Sequence, residues 1–172
     1  VKKQLVKYKR EDGVDLSGDL HLPPGYDPKK DGSLPLLLEA YPTEFKDKGA
    51  AGMVDSSPHA FVRPSWGSPV FWALRGYAVL ESAQFPIVGE GEKEPNDTFV
   101  EQLVSNAKAA IDALAAEGIV DPKRCAVTGH SYGAFMTANL LAHSDLFAAG
   151  IARSGAYNRS LTPFGFQSEE RT

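Results

Sequence analysis

The sequence lacks three features that would point to a membrane, nucleic-acid-binding or disulfide-bonded protein. No apolar run approaches the roughly 20 residues that a membrane-spanning helix needs. The 22 acidic and 18 basic side chains give a formal net charge of −4, so neither nucleic acid nor an anionic membrane is an expected partner. The single cysteine, Cys125, cannot form an internal disulfide, and its place in a predicted buried strand favours a packing role.

A cofactor-binding motif is also missing. The glycine-bearing stretch 86–91 has no Lys-Ser/Thr ending, and no helix begins at the spacing that a phosphate loop requires. We therefore expect no cofactor and no metal site. The composition, with 42% hydrophobic and 23% charged residues, predicts a single globular domain with a substantial core.

The pattern G-x-S-x-G is present, at Gly129-His130-Ser131-Tyr132-Gly133. A short apolar strand at 125–128 precedes it, and a helix rich in alanine and leucine at 134–142 follows it. A strand, a tight turn and a helix are the context in which this pattern forms a nucleophile elbow. The residues two before and two after the serine must be small, because a Cβ there would strike neighbouring backbone. Ser131 is therefore a candidate nucleophile, although a glycine-rich loop with a surface serine also fits the pattern.

Strands alternate with helices along the chain, which predicts an α/β fold with a doubly wound, mostly parallel sheet. Segments 4–9 and 14–22 flank Asp12-Gly13 and predict an antiparallel hairpin of two half-buried strands at the sheet edge, with His21 as a surface or edge histidine. Further strands are expected at 34–41, 77–83, 125–128 and 147–152. A long loop is expected after Phe45 to about Pro69, and a glycine-bearing loop at 86–91. Helices are expected at 69–75, 134–142 and from a cap at Asn96 or Asp97 to Glu117.

The elbow predicts where an oxyanion would be held. Ser131 lies at a helix N-terminus, so the backbone N–H of Tyr132 is the expected first donor. A second donor should come from the end of the strand at 34–41, where many hydrolases have a glycine-rich stretch. Here Tyr41-Pro42 occupies that place and Pro42 has no N–H, so we expect the hydroxyl of Tyr41 to donate instead. The ring of Tyr132 could line the substrate pocket or simply pack.

The sequence does not supply a base for Ser131. In this fold an acid and then a histidine follow the nucleophile, and His143 is the only histidine after Ser131. His143 and Asp145 lie at the far end of the elbow helix, about 12 residues and roughly 18 Å away, far beyond the reach of a general base. His130 points away from where a base would stand. The simplest explanation is that the acid and base lie beyond Thr172, and the alternative is a non-catalytic domain that keeps the elbow.

The segment 121–136, Asp-Pro-Lys-Arg-Cys-Ala-Val-Thr-Gly-His-Ser-Tyr-Gly-Ala-Phe-Met, resembles the catalytic domain of the prolyl oligopeptidase family of serine peptidases. The strand end Glu39-Ala40-Tyr41-Pro42 matches the oxyanion tyrosine of that family. The stretches 41–46 and 152–159 resemble the chloroplast and bacterial glutamyl endopeptidase branch. The resemblance covers nearly the whole chain. The elbow motif is shared across the family, whereas the other two stretches are specific to fewer of its members.

The resemblance implies that residues 1–172 are a partial α/β-hydrolase domain of a serine peptidase. The C-terminal acid and histidine, and the N-terminal β-propeller on which the domain would pack, are absent from this sequence. It further implies that the segment after the strand at 147–152 builds the pocket for the residue before the scissile bond. Ala156, Arg159 and Phe166 are the residues concerned, and Arg159 would suit a glutamate side chain because guanidinium pairs with carboxylate. The expected compartment is the plastid stroma, or the cytoplasm or periplasm of a bacterium.

Three functions remain open at this point. The first is a serine peptidase that cuts a peptide substrate after acidic residues through an acyl-enzyme at Ser131. The second is an esterase or acyl hydrolase with the same elbow, which Tyr41 in place of a glycine-rich loop disfavours. The third is a non-catalytic interaction domain. The 172-residue chain alone is expected to have little or no peptidase activity.

Overall fold

The computed structural model describes residues 1–53, 57, 59, 61 and 63–157. In this part of the chain a six-stranded sheet has the order β1-β2-β4-β3-β5-β6. The β1–β2 and β2–β4 pairs are antiparallel, and the other three pairs are parallel. The predicted α/β fold with a mostly parallel sheet is therefore confirmed. The strands are β1 (Lys2–Lys9), β2 (Asp15–Leu22), β3 (Leu34–Phe45), β4 (Ala78–Val88), β5 (Val120–His130) and β6 (Ala149–Arg153); the helices are α1 (Pro28–Asp31), α2 (Lys48–Ala51), α3 (Phe99–Ala116) and α4 (Tyr132–His143), with 3-10 helices at Pro69–Arg75 and Pro95–Thr98.

The predicted hairpin is present, but its second strand is buried along almost its whole length. Gly13 turns the chain with φ of 90°, and Lys9 pairs with Asp15. β2 lies inside the sheet between β1 and β4, so it is not an edge strand. The expectation that His21 is a surface or edge histidine is wrong, since its side chain is 1% exposed. The alternating pattern of β2 did not predict that its polar face is covered as well. On that face the side chain of His21 contacts Glu81.

β3 and β4 are longer than the sequence predicts. Both continue through segments that contain proline, and they pair in parallel as far as Phe45 and Val88. Pro42 stands opposite Phe85, and Gly89 N–H donates to the carbonyl of Phe45 at 2.9 Å. The loop predicted at 86–91 is therefore wrong for residues 86–88, because β3 and β4 supply each other with backbone hydrogen-bond partners there. Tyr41 is consequently held inside a paired strand.

Helices pack on both faces of the sheet. α3 and α4 pack on one face, where Leu36, Leu38, Leu80 and Val127 belong to the main core. The 3-10 helix Pro69–Arg75 covers part of the other face and ends at Gly76, which has φ of 85°. α3 follows a 3-10 turn with a capping box between Glu94 and Asp97, so the N-cap of α3 is Thr98 and the predicted cap at Asn96 or Asp97 is wrong. In the described part of the chain, no helix is long and apolar enough to cross a membrane.

A buried polar cluster fixes the hairpin to α3. The guanidinium of Arg10, 3% exposed, donates two 2.8 Å hydrogen bonds to Asp12 and one of 2.9 Å to Asn106 Oδ1. The hydrogen bond from Arg10 lowers the pKa of Asp12 to about 2. Asn106 Nδ2 also donates to the carbonyl of Pro86 at 3.0 Å. The apolar periodicity of α3 did not include Asn106, because its burial depends on a partner 96 residues away.

Candidate active site

Ser131 occupies a strained turn between β5 and α4. Its φ of 58° and ψ of −113° lie in a region that residues with a Cβ rarely adopt. The Ser131 N–H donates to the carbonyl of Arg153 at 2.9 Å, which joins the turn to the end of β6. The Ser131 carbonyl accepts hydrogen bonds from the N–H groups of Ala134 and Phe135 at 3.0 and 3.2 Å, which begin the helix. The strand, sharp turn and helix of the predicted elbow are thus present.

The two glycines of the motif are required by close backbone contacts. A Cβ on Gly129 would lie 2.3 Å from the Gly133 carbonyl oxygen, and a Cβ on Gly133 would lie 2.6 Å from the Ala40 carbonyl oxygen. Neither residue has a positive φ, so the requirement is for space alone. Gly129 lets β5 approach α4, and Gly133 lets α4 approach β3. The small residues expected on either side of Ser131 therefore have the predicted steric cause.

Aromatic rings surround the start of α4. The ring of Tyr41 meets that of Tyr132 edge to face, with centroids 6.0 Å apart. Phe99 and Phe135 stack against Tyr132 at 5.6 and 6.0 Å. The Tyr132 hydroxyl donates to Glu44 Oε1 at 3.0 Å. The ring of Tyr132 therefore packs and hydrogen-bonds within the domain, while its backbone N–H lies in the first turn of α4.

Tyr41 lies beside the elbow, and the residue is 53% exposed. A Cβ added at Gly133 would be 3.8 Å from Tyr41 Cδ2, so the ring borders the first turn of α4. Pro42 follows it and has no N–H to offer. A half-exposed phenol next to the elbow can turn its hydroxyl towards a reacting group there. The oxyanion role of Tyr41 and of the Tyr132 N–H remains a prediction.

A cleft of about 520 Å³ adjoins the elbow on the face opposite α3 and α4. Three of its lining residues are Glu39, His130 and Arg153, which come from three neighbouring strands. Opposite Glu39, the β3–β4 register shifts, and Ser82 there has φ of 52°. The Ser82 N–H donates to Glu39 Oε2 at 2.9 Å. Burial raises the pKa of Glu39, and the hydrogen bond from Ser82 only partly opposes that effect.

The described part of the chain places no histidine in hydrogen-bonding contact with the Ser131 side chain. His143 ends α4, and His130 is exposed at the edge of the cleft. His21 is buried beneath the cleft, with Nε2 3.0 Å from Glu81 Oε2. The hydrogen bond from His21 is the largest cause of the lowered pKa of Glu81. His21 therefore faces Glu81 and is not placed to take the proton of Ser131.

The predicted substrate-binding residues are only partly described. Ala156 follows β6 and is exposed. Arg159 and Phe166 lie outside the described residues. Sequence reasoning missed Glu39 and Arg153 as residues next to the elbow. Glu39 lies within β3 and Arg153 ends β6, the two strands on either side of β5, and that place beside the elbow strand was the available signal.

Cys125 has the structural role that the sequence predicts. It is 1% exposed in β5, and burial raises the pKa of its thiol to about 11. A thiol with so high a pKa is a poor nucleophile at neutral pH. Among the described residues, Ser131 is therefore the candidate nucleophile.

The chain is similar in sequence to known serine peptidases. The sequence model of the prolyl oligopeptidase family matches residues 97–164, which include the elbow. The probable chloroplastic glutamyl endopeptidase of Oryza sativa subsp. japonica is 57% identical over 171 residues, and that of Arabidopsis thaliana is 56% identical over 173 residues. These alignments cover 99% and 100% of this chain. The chain spans 18% of the length of each relative.

Solved structures share the fold at low sequence identity. The AtxE2 isopeptidase superimposes with a TM-score of 0.67 at 24% identity, over 94% of this chain and 24% of that protein. A puromycin-hydrolysing peptidase of Mycobacterium tuberculosis gives 0.63 at 18% identity, over 94% of this chain and 24% of its own. These likenesses confirm the α/β-hydrolase fold. Residues 97–164 match the prolyl oligopeptidase family, and the chain as a whole is similar to the glutamyl endopeptidases.

Proposed function

We propose that this chain supplies the nucleophile and the oxyanion-binding groups of a serine peptidase. The observation that carries the proposal is the strained backbone of Ser131 at the N-terminus of α4, with Gly129 and Gly133 in close backbone contact around it. Strain of this kind costs about 1–3 kcal/mol and persists where the surrounding structure fixes it. The hydroxyl of Ser131 would attack a peptide carbonyl and form an acyl-enzyme. Tyr41 and the Tyr132 N–H would stabilise the oxyanion.

The acid and base that activate Ser131 would come from sequence outside these 172 residues. Among the described residues, neither His143 nor His21 is placed to act as the general base, since His143 ends α4 and His21 pairs with Glu81. Residues 1–172 are accordingly proposed to be part of a hydrolase domain, packed in the whole protein against an N-terminal β-propeller. The chloroplastic relatives favour the plastid stroma as its compartment.

Labelling by a fluorophosphonate tests whether Ser131 is an activated nucleophile. In the full-length protein we expect a single modified peptide that contains Ser131, and no label in Ser131→Ala. Ser82→Ala is the matched control, because Ser82 also has a positive φ but lies in the β-bulge. It should label as the wild-type protein does. A folded wild-type protein that is not labelled at Ser131 would favour a non-catalytic domain, and turnover of esters without peptides would favour the esterase.

Cleavage after glutamate is the proposed specificity. It rests on the names of the relatives and on the place of Arg159 in the chain, since a guanidinium forms two charge-assisted hydrogen bonds with a carboxylate. In the full-length protein, Arg159→Ala should reduce the preference for Glu over Gln before the scissile bond by about tenfold or more. The measurement is kcat/KM on a matched pair of peptides. An unchanged preference would exclude Arg159 as the specificity residue.

A further inference from the structure

The backbone of Arg153 is in direct contact with the elbow. Its carbonyl accepts the Ser131 N–H at 2.9 Å, and its register partner on β5 is His130. The residue that precedes α4, Ser131, is thus hydrogen-bonded to the end of β6. Any shift of Arg153 would be transmitted to the nucleophile through this bond.

The side chain of Arg153 reaches across the cleft to another segment. Its Nη1 donates to the carbonyl of Gly67 at 3.0 Å. A Cβ on Gly67 would lie 2.7 Å from that nitrogen, so the close approach of the two depends on the glycine. Nε of Arg153 is buried without a hydrogen-bond partner among the described residues. A buried donor without a partner lowers the stability of the folded state, so this position of the guanidinium is not explained by stability alone.

Gly67 is itself connected to the sheet. Ser68, the next residue, donates through its hydroxyl to Glu81 Oε1 at 2.9 Å and caps the 3-10 helix Pro69–Arg75. Glu81 also contacts buried His21 at 3.0 Å. The contacts therefore run from the interior of β2 and β4, through Ser68 and Gly67, to the guanidinium and then to Ser131. The positive charge of Arg153 also acts on Glu39 and opposes the rise in its pKa.

We propose that Arg153 is a positioning residue for Ser131, which connects the end of β6 to the segment at 65–68 and so keeps the elbow in its strained conformation. The inference rests on the proposed function, because it assigns Arg153 a task only if Ser131 is the nucleophile. Its physical basis is that a strained turn must be fixed by its surroundings. A displacement of about 1 Å at a nucleophile can cost about a hundredfold in rate.

The test is the rate of fluorophosphonate labelling at Ser131 in the full-length protein. Arg153→Ala should lower the second-order rate constant by about 10- to 100-fold. It should lower kcat for a peptide by a similar factor, with KM within about twofold. Arg63→Ala is the matched control: Arg63 lines the same cleft but is exposed, and this variant should label at the wild-type rate.

A second variant keeps the inference testable if Arg153→Ala does not fold. Gly67→Ala displaces the tip of the guanidinium without removing its charge, and it should slow labelling by about threefold to tenfold. Wild-type labelling rates in both variants would overturn the inference, as would a loss in kcat/KM of folded Arg153→Ala that lies entirely in KM. A wild-type rate in Gly67→Ala with an unfolded Arg153→Ala would also overturn it. Absence of label in the wild-type protein would instead contradict the proposed function.

Discussion

Replacement of Tyr41 by phenylalanine is expected to lower kcat of the full-length protein by about 10²- to 10³-fold, with little change in KM. The substitution removes one hydroxyl and leaves the ring. Because Tyr41 is half exposed and its ring keeps its edge-to-face contact with Tyr132, the free energy of unfolding should change by less than about 0.5 kcal/mol. The loss in kcat would then report on the chemistry alone.

The size of this effect follows from where charge develops. An acyl transfer creates a negative oxygen in the transition state, and donors already in place stabilise it more than they stabilise the substrate. The Tyr132 N–H is the proposed first donor, and Pro42 cannot provide a second because it has no N–H. Tyr41 is next to Pro42 and borders the first turn of α4. Its phenol is therefore the described group that can replace the missing backbone donor.

Steady-state kinetics on a peptide and on its ester would measure the effect. Tyr77→Phe is a matched control, because the ring of Tyr77 meets Trp72 edge to face at 5.3 Å, far along the chain from the elbow. It should leave kcat unchanged. Tyr132→Phe distinguishes the contribution of the Tyr132 hydroxyl from that of its backbone N–H. The substitution removes the hydroxyl, which donates to Glu44, and keeps the N–H. A loss in Tyr132→Phe equal to that in Tyr41→Phe would contradict the role of Tyr41.

The elbow could be predicted from the sequence because its determinants are local. Gly129, Ser131 and Gly133 lie within five residues, and a strand and a helix follow from the apolar pattern on either side. The steric reason for the glycines also held, although their closest contacts are with each other and with Ala40. Local backbone geometry leaves a sequence signature when the same few residues must satisfy it.

The surroundings of the elbow could not be predicted in the same way. β3 and β4 extend to Phe45 and Val88 because each supplies the other with backbone partners more than 40 residues away in sequence. His21 is buried because the 3-10 helix that follows Ser68 covers its face of the sheet. Glu39 and Arg153 both line the cleft because they lie on β3 and β6, on either side of β5. Such contacts depend on strand order, which periodicity along one segment does not contain.

Gly129→Ala is expected to abolish labelling of Ser131, with a loss of about 10³-fold or more in rate. The new Cβ would lie 2.3 Å from the oxygen, 2.4 Å from the carbon and 2.7 Å from the Cα of Gly133. All three are backbone atoms in the first turn of α4, so no side-chain rotation can relieve the contact. α4 would have to move away from β5, which takes the Tyr132 N–H out of place together with the Ser131 hydroxyl.

Stability should fall with activity in this variant, but by a smaller factor. Overpacking usually costs about 1–3 kcal/mol, and α4 remains packed through Met136 and Leu140, which are fully buried. Urea unfolding monitored alongside labelling would separate the two losses. Gly52→Ala is the control, since Gly52 has φ of −85° and a Cβ there would have no neighbour closer than 3.5 Å. If Gly129→Ala were labelled at the wild-type rate, then the elbow would not depend on the close approach of β5 to α4, and the assignment of Ser131 as a strained nucleophile would lose its structural basis.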